Sequence, residues 1–194
     1  MKTNTIALLA ASVFTVAFVP SCVNGPIAST NAANSSASQI ASDSRAALVK
    51  LYASDPKAAA LGKNAKAVLV FPEILKGGFV INGQGGNGAM IRDTGKISGY
   101  YQSVATSYGL EAGIQKFGYA LFFMDDGAFK NIDRSGGWEL GTAPNLTVFN
   151  TGAAGSVSNA TLNKGTVAMF FDQRGLMGGI SVQTSKITRI HPKP

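Results

Sequence analysis

The chain predicts an α+β fold in which N-terminal helices precede a strongly curved or closed, barrel-like antiparallel β-sheet. Three observations carry this. Apolar residues recur at helical spacing over residues 40–52, ahead of the first β-type run. Of the 23 glycines, 21 fall between Gly77 and Gly179, and an interior glycine costs a helix about 1 kcal/mol relative to alanine, which excludes long helices there. Short β-type runs separated by turn signals fill that second region, the pattern of a sheet bent round on itself.

The elements follow in order. Ile40, Ala47, Leu48, Leu51 and Tyr52 share one helical face, with Ser38 as the expected N-cap and Asp55-Pro56 as the stop. Asp55 can then cap a second helix with Pro56 at its first position, stopped by Gly62. Residues 67–71 open the β-region, with turns expected at Pro72 and at Gly77-Gly78. Further strands are expected at 79–82, 89–92, 97–102, 119–124, 146–149, 166–171 and 179–190, and a short helix at 126–132. Strand glycines such as Gly109, Gly113 and Gly118 fit sharp bends or close backbone approach. Neither an internal repeat nor a linker divides the β-region, so residues 38–194 read as one domain.

Apolar residues make up 45% of the chain and charged residues 14%, a balance that folds rather than stays disordered. Seventeen basic against ten acidic side chains give +7, which favours anionic partners without choosing among them. The single cysteine, Cys22, excludes an intrachain disulfide. After Lys2, residues 6–19 have the length of a signal-peptide apolar region and fall short of a comfortable membrane span. Val19-Pro20-Ser21-Cys22 resembles a bacterial lipoprotein cleavage site, with Cys22 the lipidation position, although Pro20 departs from the usual residue there. Ordinary cleavage near Ala28 or Ala33 is the alternative. The expected organisation is a signal peptide over 1–21, a flexible tether over 22–37 rich in Asn, Ser and Ala, and the domain. The expected location is the periplasm or cell envelope, with the protein anchored through Cys22.

Residues 63–90, KNAKAVLVFPEILKGGFVINGQGGNGAM, carry a resemblance. Ala-Lys-Ala-Val-Leu-Val-Phe-Pro followed by Ile-Leu-Lys-Gly-Gly-Phe resembles the opening signature of the SYLF-domain family, in its bacterial exported branch. Residues 103–124, SVATSYGLEAGIQKFGYALFFM, and 169–182, MFFDQRGLMGGISV, are similar to its central and closing segments, in order. The resemblance implies a lipid-binding module without catalytic activity. Its partners would be membrane lipids, with anionic phospholipid or phosphoinositide-like head groups foremost. Basic residues beside the first strand would hold those head groups, and Lys63, Lys66 and Lys76 stand there.

Other motifs point to little chemistry. Gly83-x-Gly85-x-x-Gly88 fits a dinucleotide fingerprint, yet a strand and turn follow it where a helix N-terminus is needed, so a flexible hairpin is expected and no cofactor. The lone histidine, His191, has no cysteine or serine constellation, and neither a metal site nor a His-based hydrolase is expected. Asp125-Asp126, with Asp133 and Glu139, suggest calcium or a carboxylate pair, but the spacing does not match the calcium loop. Asp125, Asp126 or Glu139 would serve an envelope lipid or glycan hydrolase, and a helix cap and turn is the preferred account. Phe71, Phe79, Phe117, Phe122, Phe123, Phe170 and Phe171 are expected in the core, with adjacent pairs pointing to opposite faces. Trp138, after Gly136-Gly137, is a candidate interfacial anchor. No nucleic-acid signature is present. A non-catalytic envelope module that contacts another protein is the main rival reading.

Overall fold

The structure, a computed structural model, describes residues 35–133, 137–139, 146–150 and 165–194. The signal peptide, the lipidation position Cys22 and nearly all of the tether lie outside the described residues. Helix α1 (Ala37–Ser54) starts at Ser36, whose hydroxyl accepts from the Gln39 amide at 3.2 Å. The cap is therefore two residues earlier than expected, and Ser38 instead shares a hydroxyl hydrogen bond with Ser36. Asp55 ends α1 and caps α2 (Pro56–Asn64) as expected, accepting from the Lys57 amide at 2.8 Å. Helix α2 continues past Gly62, because the fully buried Leu61 fixes its last turn against the core.

Three long strands then build the sheet: β1 (Ala67–Arg92), β2 (Ile97–Phe123) and β5 (Thr166–Ile190). Between the last two come a short helix α3 (Asp126–Lys130) with a 3-10 turn, and the small strands β3 (Trp138–Glu139) and β4 (Leu146–Asn150). A straight strand of 26 residues would reach roughly 85 Å. Instead its two ends meet, where the Asp93 amide donates to the Lys66 carbonyl at 3.3 Å. The three strands therefore fold back on themselves together. Gly78 and Gly113, register partners at mid-strand, have φ of 152° and 138°, and Gly175, paired with Gln115, has φ of 103°. These are conformations that side chains other than hydrogen rarely adopt, and the row of glycines forms a fold line across the sheet.

The expected short strands are thus halves of long ones. The Pro72 turn is a bulge between Phe71 and Ile74 on the edge strand β1, where a missing N–H costs no ladder bond. The glycine-rich stretch expected as a hairpin is strand as well, pairing Gly83 with Thr106 through to Gly88 with Tyr101. Its glycines serve closure. A side chain on Gly86 would run into the Glu73 carbonyl, and one on Gly88 into the Val70 carbonyl and the Phe71 ring. The two halves of β1 lie backbone against backbone at this point.

The strand order is β1-β2-β5-β3, with β4 on β5. Strand β4 runs parallel to β5, a correction to the all-antiparallel expectation. Counted by halves, the strands make an eight-strand mixed sheet curled 238° round an axis, a half-barrel.

Alternation along the strands sorts two cores. Val68, Val70, Ala120, Phe122, Val167, Met169 and Phe171 face outward under α1 and α2. Ala67, Leu69, Phe71, Phe117, Tyr119, Leu121, Phe123 and Ala168 face the inside of the curl. Burial on both faces explains the unbroken apolar runs at 67–71, 119–123 and 167–171, and Phe122 and Phe123 part to opposite faces as expected. The Tyr119 hydroxyl donates to Ser103 at 2.7 Å inside the curl, and burial raises its pKa. Burial likewise pushes Tyr52, on the core-facing side of α1, up to about 12.

Ser44 ties α1 to the closure. Its buried hydroxyl donates to the Val70 carbonyl at 3.2 Å and accepts from the Ala89 amide at 3.1 Å, one group on each half of β1. Ser44→Ala strands both backbone groups in a dry site. A loss of about 2 kcal/mol in urea-unfolding stability is expected, and a change under about 0.5 kcal/mol, the range of an ordinary surface substitution, would show that the bridge contributes nothing.

Candidate functional site

The folding-back of β1 gives the domain two ends, a base where the strand termini gather and a tip at the fold line. Lys63 in the last turn of α2 and Lys66 just before β1 are both exposed at the base. The Asp93 amide bonded to the Lys66 carbonyl brings the β1–β2 turn beside them. That turn is closed by Gly95 donating to Arg92 at 2.8 Å and Arg92 donating to Lys96 at 2.9 Å. Lys96 is exposed, and the Arg92 guanidinium lies over the Phe129 ring of α3 at 4.4 Å from its centroid, a cation–π contact that fixes the charge in place. Helix α3 adds the exposed Lys130.

The result is a basic base built by three segments distant in sequence. The ion pairs Lys50–Asp172, Lys116–Glu73 and Arg189–Asp133 take no lysine of the base. Lys63, Lys66, Lys96 and Lys130 therefore present their charge to solvent.

Two of the expected site residues are elsewhere. Lys76 lies about ten residues farther along β1, on the inner face with Ile74, and is 7% exposed. It belongs to the interior towards the tip and does not join Lys63 and Lys66. The bulge at Pro72 sets that direction, because the extra residue turns each later side chain to the opposite face. Trp138 is 6% exposed and packs on Phe123 at 6.3 Å between ring centroids, so it closes the open side of the curl and is not a surface anchor. Pairing with Ile187 draws it in.

Of the carboxylates considered for hydrolysis, Asp125 holds a structural role. Asp125 accepts from the Ala128 amide at 2.8 Å as the α3 cap and from the Gly165 amide at 2.7 Å, tying the helix to the start of β5. Glu139 sits on β3 opposite Lys186, and Asp126 is exposed in the first turn of α3. Among the described residues, no three His, Cys, Asp or Glu side chains gather as a metal site would require. No described helix is long and apolar enough to cross a membrane.

Sequence reasoning missed Arg92, Lys96 and Lys130 as neighbours of Lys66. The turn at 92–96 was legible, but its proximity to residue 66 depends on β1 reversing at Gly78. Phe79, expected in the core, is 78% exposed beside that reversal.

Residues 104–191 match a family model, Ysc84, described as Las17-binding protein actin regulator. The matched span covers most of β2 and all of β5 and leaves out the stretch at 63–90. No curated protein matches the chain.

Proposed function

We propose that this chain, whose residues 104–191 match the Ysc84, or SYLF, family of binding modules, is an exported lipid-binding protein anchored by acylation of Cys22, whose basic base engages anionic or phosphorylated head groups. The observation that carries this reading is the gathering of Lys63, Lys66, Lys96 and Lys130 at one end without carboxylate partners among the described residues. Each basic residue near an anionic surface contributes about 1 kcal/mol. Residues 35–37, where the tether enters α1, reach the same end, since the Ala37 amide donates to the Lys193 carbonyl beyond β5. Anchor and head-group surface would then act on one membrane, and stable attachment needs two such signals.

The family description names an actin regulator. For this chain the leader-like run at 6–19 favours an envelope partner over a cytoskeletal one. Asp125 is committed to two backbone amides, which favours binding over turnover.

Mass spectrometry of the N-terminal peptide should show a lipid thioether on Cys22, and residues 23–194 should still co-sediment with phosphatidylglycerol vesicles. An unmodified Cys22 removes the anchor. A domain indifferent to anionic vesicles removes the head-group reading and leaves the protein-interaction module in its place.

A further inference from the structure

Helices α1 and α2 cover the outer face of the sheet only near the base, over Ala120, Phe122 and Phe171. Beyond the bulge at Asp172, which takes φ of 52° and pairs with Lys50 of α1, the same face continues to the fold line with no described helix over it. Register places its residues. Lys116 pairs with Arg174, then Ile114 with Leu176 and with Gly77, then Ala112 with Phe79. The apolar members are exposed, Phe79 at 78%, Ile114 at 65% and Leu176 at 89%. Three large apolar side chains on three adjacent strands, carried at the turning point of the sheet, form a protruding ridge.

We propose that this ridge is a second lipid-docking surface, inserting Phe79, Ile114 and Leu176 into the acyl boundary of a bilayer at the end of the domain opposite the basic base. The row behind it gives the charge complementarity that selects a membrane. Lys116 and Arg174 lie one step back on the same face, at the depth where phosphates stand when the ridge is buried, and apolar residues backed by cations are the pattern of interfacial insertion. Glu73 holds Lys116 at 3.0 Å, so the exposed Arg174 is the principal cation of that row. A second copy of the chain packed ridge to ridge would have to bring two such rows together.

This inference rests on the lipid-binding reading and adds to it. Base and tip lie at opposite ends of each half-strand, so both cannot sit on one flat bilayer, and a molecule using both joins two lipid surfaces.

The test uses the full chain. Leu176→Trp should be quenched by vesicles of brominated phosphatidylcholine and phosphatidylglycerol, whereas the wild-type fluorescence, from the buried Trp138, should not change. Phe79→Ser combined with Leu176→Ser should cut vesicle clustering roughly tenfold while leaving co-sedimentation salt-sensitive and the melting temperature unchanged. Co-sedimentation without quenching at Leu176→Trp overturns the ridge and spares the basic base. Failure of the wild type to co-sediment at all overturns both. Loss of a dimer in size-exclusion of the Phe79→Ser, Leu176→Ser variant, without change in clustering, overturns the ridge in favour of self-association.

Discussion

Gly88→Val should lower the melting temperature by on the order of 5–10 °C. The reason is local to the closure. A Cβ at residue 88 meets the Val70 carbonyl and the Phe71 ring, and neither can yield, since the carbonyl belongs to the opposite half of β1 and Phe71 is fully buried against Tyr119. Overpacking of this kind costs about 1–3 kcal/mol for a flexible neighbour and more for backbone, and each kcal/mol shifts a domain of this size by about 2–4 °C. Gly77→Ala is the control, because its Cβ would stand at an ordinary 3.5 Å from Ile114. Scanning calorimetry on the two variants decides the matter. Equal melting temperatures would mean that the halves of β1 do not press together.

Replacing Lys63, Lys66 and Lys96 together by alanine should weaken binding to anionic vesicles roughly a hundredfold. Each contributes about 1 kcal/mol at a charged surface, and about 1.4 kcal/mol is a factor of ten. All three are exposed and free of ion pairs among the described residues, so stability should be nearly unchanged. Lys50→Ala is the comparison, since that lysine already faces Asp172 at 2.6 Å and sits on α1. Titration by co-sedimentation reads both, and an equal loss from the single substitution would mean that net charge acts and its placement does not.

Much of the fold was legible because the forces that set it are local. Pro56 after Asp55 dictated the helix junction, and apolar runs such as 119–123 dictated strands buried on both faces. Strand length was not legible. Gly78 and Gly113 read equally as turn residues or as fold-line residues, and only their mutual pairing distinguishes the two. The site suffered from the same ambiguity. Lys63 and Lys66 stay together and exposed because they adjoin a helix end, whereas Lys76 lies past a bulge that inverts its face, and Trp138 is drawn in by Ile187, nearly fifty residues away. Phe79 had the composition of a core residue and lost its burial to the reversal of the strand beside it.

The central claim is that one end of a folded-back half-barrel recognises bilayer charge through its placed lysines. The most direct measurement is co-sedimentation of residues 23–194 with phosphatidylglycerol vesicles and with phosphatidylcholine vesicles over a salt series. The account predicts binding to the anionic vesicles alone, falling steeply as salt shortens the screening length. Equal binding to both lipids, insensitive to salt, would contradict it.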